Sequence, residues 1–386
     1  MFIIEKPYVS EYLIDTIINN NWPVLDNQTI DECGMEEGAF NLWSSERAKD
    51  NYLKQEYPLI YSNSENAIVW ILENLPQSNI STYIKLFKDK IAFREKLKEL
   101  YPDFYFESFN YEDVNYIEKE KFKFPLVFKP SVGFLNTGVR VINNVSEWDD
   151  AVKSLNKELS QLTSQYEQSV FNSSKILLEE FIEGEEFAID AYYDRNGSPV
   201  ILNIFKHMQN NKNIKDRLYI TSTSIMVEHM AKFAQLLRDL GKLANIKNLP
   251  INLEVKINSN EEIIPIEVNP IRFANWCSAD IAKYAWGINV YEYFNNQTCP
   301  DWNSILANSG KEIYYYALFE VPKDYPKNSI SSFNFNACLA YLSNVIELRR
   351  VNYKANQLFG VVFGKTENED ELKIILALDT NKYIIN

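Results

Sequence analysis

The segment 251–270, INLEVKINSNEEIIPIEVNP, constrains the fold more tightly than any other part of the chain. Apolar and polar residues alternate on both sides of its polar tip, SNEE, and this period of two predicts a β-hairpin. With the turn centred between Asn260 and Glu261, Glu254 lies opposite Glu267, and the Cβ atoms of such an opposed pair are about 5 Å apart. Asn269 lies two positions after Glu267, so its side chain shares the same face of the hairpin.

These three side chains make the polar face of the hairpin a candidate metal site. Two opposed carboxylates repel each other unless a cation lies between them. Carboxylate and amide oxygens are hard ligands that suit Mg²⁺. The alternative is a solvated sheet face that carries ordinary surface acids. The hairpin by itself does not decide between these two interpretations.

Composition limits the classes of protein to which the chain can belong. The 386 residues are 46% hydrophobic and 14% aromatic, which is enough for packed cores in about two to three domains. A net charge of −14 argues against nucleic acid or an anionic membrane as the main partner. The scattered cysteines form no CxxC pair and favour free thiols in a reducing compartment. Because no signal-peptide core and no membrane-length apolar run is present, a cytoplasmic protein is expected.

The pattern of helices and strands predicts an α/β region followed by α+β regions. Short strands and helices alternate up to about residue 84, as in a small open α/β unit. Further predicted elements are strands Leu126–Lys129, Val139–Ile142 and Lys175–Phe181, a helix from Ser146, a hairpin of Glu186–Asp194 and Pro199–His207, a helix Val227–Lys247, and strands Ile313–Phe319 and Leu358–Phe363 in a Tyr/Phe-rich tail.

A lysine and a glycine-containing loop follow one of the predicted strands. The strand ends at Lys129, and the loop from Ser131 reads SVGFLNTG. Gly133 and Gly138 would let backbone N–H groups approach a phosphate closely. Lys129 would add a point charge to the same phosphate group. The alternative is a plain hairpin with a lysine at the end of a strand.

An acidic turn, LLEEFIEGEEF, follows the next predicted strand. A nucleotide base needs backbone donors and acceptors from a linking segment, and a ribose needs a carboxylate for its hydroxyl groups. Glu186 could bind the ribose, and the alternative is an acidic surface turn. Four residues could supply the backbone groups for the base: Glu179, Glu180, Phe181 and Ile182.

The order and spacing of these motifs resemble the ATP-grasp superfamily. Lys90 lies in the charged predicted helix Lys88–Leu100, and by itself it indicates only a solvated helix face. It is followed by the strand lysine with its glycine loop, then by E-E-x-x-x-G-x-E, and then by E-x12-E-x-N-P. The resemblance covers roughly Lys85 to Tyr293.

The resemblance implies a fold and a domain division. The fold class is α/β and α+β: an ATP-grasp fold with an N-terminal open α/β (pre-ATP-grasp) domain and a small C-terminal α+β domain. The implied domains are residues 1–84, 85–300 and 301–386. ATP would lie between subdomains at about 85–180 and 181–300.

The resemblance also implies roles for the nucleotide-binding residues. Lys90 and Lys129 match the pair of nucleotide-binding lysines. The loop Ser131–Gly138 matches the flap over the phosphates. The segment Glu179–Ile182 matches the adenine-binding hinge, with Glu186 on the ribose.

The remaining implied roles concern the metal and the substrate. Glu254, Glu267 and Asn269 match the ligands of Mg²⁺ (or Mn²⁺). Arg272 resembles the arginine that faces the γ-phosphate and the acyl phosphate, and a surface arginine after a proline turn is the alternative. The loop after the central hairpin holds substrate candidates that could equally lie in a mobile surface loop: Lys206, His207, Asp216 and Arg217.

The activity implied by the resemblance is that of an ATP-dependent carboxylate ligase. ATP would convert a carboxylate into an acyl phosphate, which an amine attacks, and an amino-acid ligase of small-molecule biosynthesis is the most specific expectation. The cofactors would be ATP and Mg²⁺ (or Mn²⁺), and the partners a small-molecule carboxylate and an amine. The alternatives are a phosphotransferase acting on a non-carboxylate acceptor and a non-catalytic nucleotide-binding protein. Whether the chain forms a homodimer is left open.

Overall fold

The structure is a computed structural model that describes residues 1–33, 38–131, 139–163, 175–208, 218–322 and 325–386. Four of the predicted site residues lie outside these ranges: Gly133, Gly138, Asp216 and Arg217. The described chain divides into two compact units. Unit 1 comprises Met1–Pro76, Glu185–Val255 and Asn269–Asn386, and unit 2 comprises Gln77–Gly184 and Lys256–Val268. The three-domain division expected from the sequence remains a prediction.

The strands follow one another along the chain in this order. They are β1 (Phe2–Ile3), β2 (Pro23–Leu25), β3 (Asn41–Trp43), β4 (Tyr61–Ser62), β5 (Phe106–Asn110), β6 (Leu126–Pro130), β7 (Arg140–Ile142), β8 (Lys175–Glu180), β9 (Glu185–Tyr193), β10 (Pro199–His207), β11 (Leu218–Thr221), β12 (Leu249–Ile257), β13 (Ile263–Pro270), β14 (Ile313–Glu320), β15 (Ser332–Phe333), β16 (Val345–Arg350), β17 (Leu358–Thr366) and β18 (Ile384–Ile385).

The α-helices lie between these strands. They are α1 (Glu11–Asn19), α2 (Gln28–Glu32), α3 (Ser45–Lys54), α4 (Ala67–Asn74), α5 (Asn79–Lys88), α6 (Lys90–Leu97), α7 (Trp148–Thr163), α8 (Thr223–Ala244), α9 (Ile281–Trp286), α10 (Val290–Asn296), α11 (Trp302–Ala307), α12 (Phe335–Leu339) and α13 (Glu369–Ala377). Among the described residues, none of the helices is both long enough and apolar enough to cross a membrane.

Unit 1 begins with a parallel sheet of strand order β3-β2-β1-β4. Parallel neighbours need crossover connections, and helices α1 to α3 lie in these connections. Helix α1 begins at Glu11 because the Ser10 Oγ accepts a hydrogen bond from the Leu13 N–H at 3.1 Å. The open α/β unit predicted for the N-terminus is confirmed.

A larger sheet has the strand order β13-β12-β9-β10-β11-β14-β17-β16. From β9 to β16 every neighbouring pair is antiparallel and lies in unit 1. The predicted central hairpin is β9 and β10, and its turn is held by the Asp194 carboxylate. This carboxylate accepts from the N–H groups of Asn196 and Ser198, both at 2.8 Å. The tail strands β14, β16 and β17 extend this sheet, and β15 pairs with β18.

Unit 2 contains an antiparallel sheet of order β5-β8-β6-β7. Its core lies between this sheet and helix α7, where Phe122 stacks on Trp148 with ring centroids 5.6 Å apart. The amphipathic pattern predicted for α7 is confirmed where side chains are described, because Trp148, Val152 and Leu155 are all buried.

The turn between β12 and β13 is tighter than the sequence pattern predicts. The Asn258 N–H donates to the Glu262 carbonyl at 3.1 Å, and Glu261 takes a left-handed conformation with φ +63°. The Asn258 Oδ1 accepts from the N–H groups of Asn260 at 2.9 Å and of Glu262 at 3.0 Å. The turn is therefore bulged and centred on Asn260, half a residue earlier than expected, because the bulge absorbs one residue.

Candidate functional site

Three buried charged side chains meet on one face of the sheet in unit 2. Lys129 on β6 and Glu179 on β8 share this face because Val127 pairs with Glu179 and Lys129 pairs with Leu177. The Lys129 Nζ lies 2.5 Å from the Glu179 Oε1. Arg94 on α6 completes the group, with its Nε donating to the Glu179 Oε2 at 2.6 Å. The three residues are 2–4% exposed.

The electrostatics of this cluster are dominated by one carboxylate shared between two cations. Burial would raise the pKa of Glu179, but the charges of Lys129 and Arg94 outweigh it and lower the pKa to about 2. Burial lowers the pKa of Lys129, and the nearby cations Arg94 and Lys90 lower it further against the attraction of Glu179. The cluster therefore carries a net positive charge in a desolvated place, which favours a bound anion.

The backbone of Lys90 is hydrogen-bonded to Ser131, at the start of the glycine loop. Lys90 is the first residue of α6, which begins where the Asp89 carboxylate accepts from the N–H groups of Ile91 at 2.9 Å and Ala92 at 3.2 Å. The Lys90 N–H donates to the Ser131 carbonyl at 2.8 Å. Its Nζ lies 3.7 Å from the Oε2 of Glu267. Unit 2 therefore brings a predicted nucleotide lysine close to a predicted metal ligand.

The predicted adenine hinge is held by hydrogen bonds from neighbouring segments of unit 2. The N–H of Glu180 donates to the Tyr105 carbonyl at 3.0 Å, and the N–H of Phe181 donates to the Pro125 carbonyl at 3.2 Å. The Ile182 carbonyl accepts from the Lys256 Nζ at 3.2 Å. Within the described part of the chain, no hydrogen bond is recorded for the Ile182 N–H, so this donor can serve a ligand.

In unit 1, Asn269 lies beside Glu254. The Asn269 Nδ2 donates to the Glu254 Oε1 at 3.2 Å and to the Asn252 Oδ1 at 3.5 Å. Asn252 in turn donates from its Nδ2 to the Oδ1 of Asp190 at 2.9 Å. Asp190 is fully buried, and burial raises its pKa to about 7.

These donors fit a magnesium ion. Asn269 and Glu254 share one face as predicted, and both offer hard oxygen atoms. Among the described residues, no group of three or more His, Cys, Asp or Glu side chains could hold a metal. A metal site would therefore depend on the amide oxygen of Asn269 in addition to carboxylates. The set of Glu254, Glu267 and Asn269 remains a prediction.

Arg272 is held by a residue from the N-terminal region of unit 1. The Arg272 Nη2 donates to the Glu65 Oε1 at 2.9 Å, and its Nε donates to the same oxygen at 3.3 Å. Its Nη1 donates to the Phe273 carbonyl at 3.0 Å. Arg272 is buried, so its guanidinium orientation is defined by these contacts.

Glu186, Lys206 and His207 lie together at the facing ends of β9 and β10. The His207 Nδ1 lies 3.1 Å from the Glu186 Oε1, and Lys206 forms an ion pair with Glu185. The His207 ring stacks on Tyr219 with centroids 4.4 Å apart. The roles predicted for Glu186 and for the substrate candidates remain predictions.

The comparison with known protein families decides the class of the central region. Residues 122–280 match the family model of the ATP-grasp domain. This chain carries an ATP-grasp domain. The resemblance drawn from the four motifs is therefore confirmed, and so is the mixed α/β fold with ATP-grasp architecture. No curated protein sequence matches the chain.

Solved structures show the same fold across the whole chain. The L-amino acid ligase from Bacillus licheniformis is 14% identical with a TM-score of 0.69, covering 100% of this chain and 97% of that one. The N5-carboxyaminoimidazole ribonucleotide synthetase from Thermotoga maritima is 14% identical with a TM-score of 0.61, covering 99% and 98%. The biotin carboxylase domain of the 2-oxoglutarate carboxylase from Hydrogenobacter thermophilus is 13% identical with a TM-score of 0.62, covering 100% and 90%.

Sequence reasoning missed four polar residues that contact the predicted ATP-grasp residues. Arg94 lies one helical turn after Lys90, and that spacing is the signal that could have found it. Asp190 and Asn252 are polar residues inside otherwise apolar strands, which is a recognisable anomaly. Glu65 carried no signal, because it is separated from Arg272 by 207 positions.

Proposed function

We propose that this protein is an ATP-dependent ligase that activates a carboxylate as an acyl phosphate for attack by an amine. The observation that carries the proposal is the buried Lys129–Glu179–Arg94 cluster, in which Lys129 and Glu179 lie within the ATP-grasp match, since its net positive charge suits a nucleotide phosphate. Within the ligases, an amino-acid ligase is the most specific candidate. The similarity of fold to an L-amino acid ligase supports this choice.

The residues of unit 2 would bind the nucleotide. Lys129 would gain a second anion from an incoming phosphate, which offsets the excess positive charge that it shares with Arg94. Lys90 would place a second ammonium at the start of the phosphate loop, where it already bonds Ser131. The Ile182 N–H would donate to a ring nitrogen of the adenine.

The residues proposed for the reaction are Glu254, Glu267, Asn269 and Arg272. The first three would hold magnesium, which when bound offsets negative charge on the transferring phosphoryl group. A structure similar in fold was solved with MgADP and bicarbonate. Arg272 would donate to the oxygens of the same phosphoryl group, with Glu65 holding its guanidinium in place. The reaction needs no protein nucleophile: ATP gives ADP and an acyl phosphate, and the amine then displaces phosphate.

The direct test is product analysis with ATP, Mg²⁺ and pairs of amino acids. A ligase releases ADP and free phosphate in equal amounts and forms a condensation product that mass spectrometry detects. A phosphotransferase would form ADP while the phosphate stays on the acceptor. If ATP binds but no carboxylate supports the release of ADP and phosphate, the ligase proposal is wrong.

A variant pair separates chemistry from folding in the same assay. Glu267→Gln removes a predicted metal ligand and should abolish most turnover while the melting temperature stays close to that of the wild type. Glu262→Gln is the matched control, because Glu262 lies at the exposed tip of the same hairpin, where its carboxylate accepts from the Asn258 Nδ2 at 2.7 Å. Turnover retained in Glu267→Gln, together with a large loss of melting temperature, would make Glu267 a structural residue.

A further inference from the structure

A chain of hydrogen bonds in unit 1 links a buried carboxylate to two predicted metal ligands. It begins at Asp190 on β9, which is fully buried. The Asp190 Oδ1 accepts from the Asn252 Nδ2 at 2.9 Å, and the Asn252 Oδ1 accepts from the Asn269 Nδ2 at 3.5 Å. The Asn269 Nδ2 also donates to the Glu254 Oε1 at 3.2 Å.

The donor and acceptor groups allow only one orientation for each carboxamide in this series of hydrogen bonds. The Asp190 Oδ1 also accepts from the backbone N–H of Ala274, so this oxygen is an acceptor and the branch of Asn252 that faces it must be its NH₂ group. The Asn252 oxygen then faces Asn269, and Asn269 must donate to it from its own NH₂ group. Glu254, on the other side, accepts a hydrogen bond from the same NH₂ group of Asn269. Carboxylates at both ends therefore fix both carboxamides, and the Asn269 oxygen is held on the branch that points away from Glu254.

This orientation matters for a cation because only the oxygen of a carboxamide is a ligand. A flipped Asn269 would present an NH₂ group, which cannot coordinate a hard cation and repels it. In an isolated pair of asparagines the two orientations differ little in energy. The Asp190 Oδ1, which is held as an acceptor by both the Asn252 Nδ2 and the Ala274 N–H, makes them unequal.

A second hydrogen bond connects Asp190 to the segment that carries Arg272. The Asp190 Oδ1 also accepts from the Ala274 N–H at 2.8 Å, two residues after Arg272. The surrounding backbone is strained, with φ values of +67° at Ile271, +56° at Trp276 and +53° at Cys277. One oxygen atom therefore anchors both the Asn252 carboxamide and this segment.

We propose that Asp190 is a positioning residue that sets the carboxamide orientation of Asn269 for metal binding and anchors the segment carrying Arg272. The proposal rests on the proposed function, since it assigns to Asp190 the task of preparing that metal site. A purely structural role fits the site poorly. Among the described residues, no hydrogen-bond partner is found for the buried Asp190 Oδ2, and a buried carboxylate oxygen without a partner destabilises the fold.

The chain offers a matched control on the neighbouring strand. Asn203 on β10 lies opposite Asp190 in the strand register and is equally buried. Its Oδ1 accepts from the Thr221 Oγ1 at 3.0 Å and from the Trp286 Nε1 at 2.8 Å, and it bonds none of the predicted metal ligands. Asn203→Leu therefore removes a buried polar group of the same size from the same sheet.

The experiment measures the binding of a non-hydrolysable ATP analogue by calorimetry, once with Mn²⁺ and once with a chelator. The ratio of the two dissociation constants is the metal-dependent gain in affinity. In Asp190→Leu and Asn252→Leu this gain should fall about 10- to 100-fold. Metal-free binding should stay unchanged in Asn252→Leu, because that variant keeps the contact between Asp190 and Ala274. Asp190→Asn should keep most of the gain, because its Oδ1 can still accept from Asn252 and Ala274. Asn203→Leu should keep all of it.

The outcomes separate this inference from the proposed function. If the wild type shows no metal-dependent gain, the proposed function fails. If the wild type shows the gain and Asp190→Leu or Asn252→Leu retains it, the positioning role is overturned. The same result follows if Asn203→Leu loses as much of the gain as Asp190→Leu, because general destabilisation then explains both. If Asp190→Leu does not fold, Asn252→Leu decides the question alone.

Discussion

Replacing Glu179 by glutamine should destabilise the protein far more than its single lost charge suggests. Glu179 is the only carboxylate recorded in contact with Lys129 and Arg94 in the described part of the chain, and all three side chains are buried. Glutamine has the shape of protonated glutamate, so the substitution leaves two buried cations without an anion. Removing one partner of a buried ion pair costs about 3–5 kcal/mol.

The pKa of Glu179 gives an independent magnitude. It is lowered from 4.5 to about 2 because Lys129 and Arg94 outweigh the effect of burial. At 1.36 kcal/mol per pKa unit, the folded state prefers the ionised form by about 3 kcal/mol. This contribution is present above the ordinary pKa of 4.5 and is lost as the pH falls through the folded-state value of about 2. At pH 3 about 1.4 kcal/mol of it should remain.

Urea unfolding at pH 7 and pH 3 tests this reasoning. Glu179→Gln should lower the unfolding free energy by about 3 kcal/mol at pH 7 and by less than half of that at pH 3. Glu95→Gln is the control, because Glu95 on α6 forms an exposed pair with Lys98 at 2.7 Å, and its loss should change stability little. A Glu179→Gln protein within about 1 kcal/mol of the wild type at pH 7, or a loss that does not shrink with acid, would refute the argument.

Two further predictions follow from contacts within the units. Glu65→Gln should lower kcat about tenfold or more while nucleotide affinity is unchanged, because Arg272 loses its ionised partner, and an equal loss of affinity would contradict a role limited to Arg272. Gly184→Ala should lower the melting temperature strongly, because φ is +128° and an added Cβ would lie 2.0 Å from the Ile257 carbonyl oxygen. Gly287→Ala is the control, since its φ of +66° is left-handed but its Cβ would have no neighbour within 4 Å, and an equal melting temperature for both variants would contradict the steric argument.

Local patterns explain how much of the fold was predictable from the sequence. Strand and helix periodicity located β6, β8, the β9–β10 hairpin and α8, because alternation and helical spacing are properties of neighbouring residues. The order of the motifs also predicted the ATP-grasp fold, which the family model and the similar structures confirm. Helix boundaries shifted where side-chain caps decide them: the helix predicted from Val227 begins at Thr223, because the Ser222 Oγ accepts from the Ile225 N–H.

The candidate site was predictable only in part, because a motif identifies residues but not their partners. Lys90 and Lys129 were found from their places on a helix and at a strand end. Arg94 was not, since its bond to Glu179 joins residues 85 positions apart. The same limit applies to the hairpin, where a bulge at Glu261 moved the centre of the turn that alternation alone had set.

The sequence by itself determined β6, β8, the β9–β10 hairpin and α8 of the central region, together with the order of its ATP-grasp motifs. Only the tertiary structure decided that the tail strands β14, β16 and β17 extend the larger sheet, that Glu65 holds Arg272, and that Asp190 anchors the asparagines beside the predicted metal ligands. The physical reason is the range of the forces. Backbone periodicity and capping depend on residues within a few positions of each other. Buried charges and amides instead form hydrogen bonds with residues that are distant in sequence and become neighbours only when the chain packs.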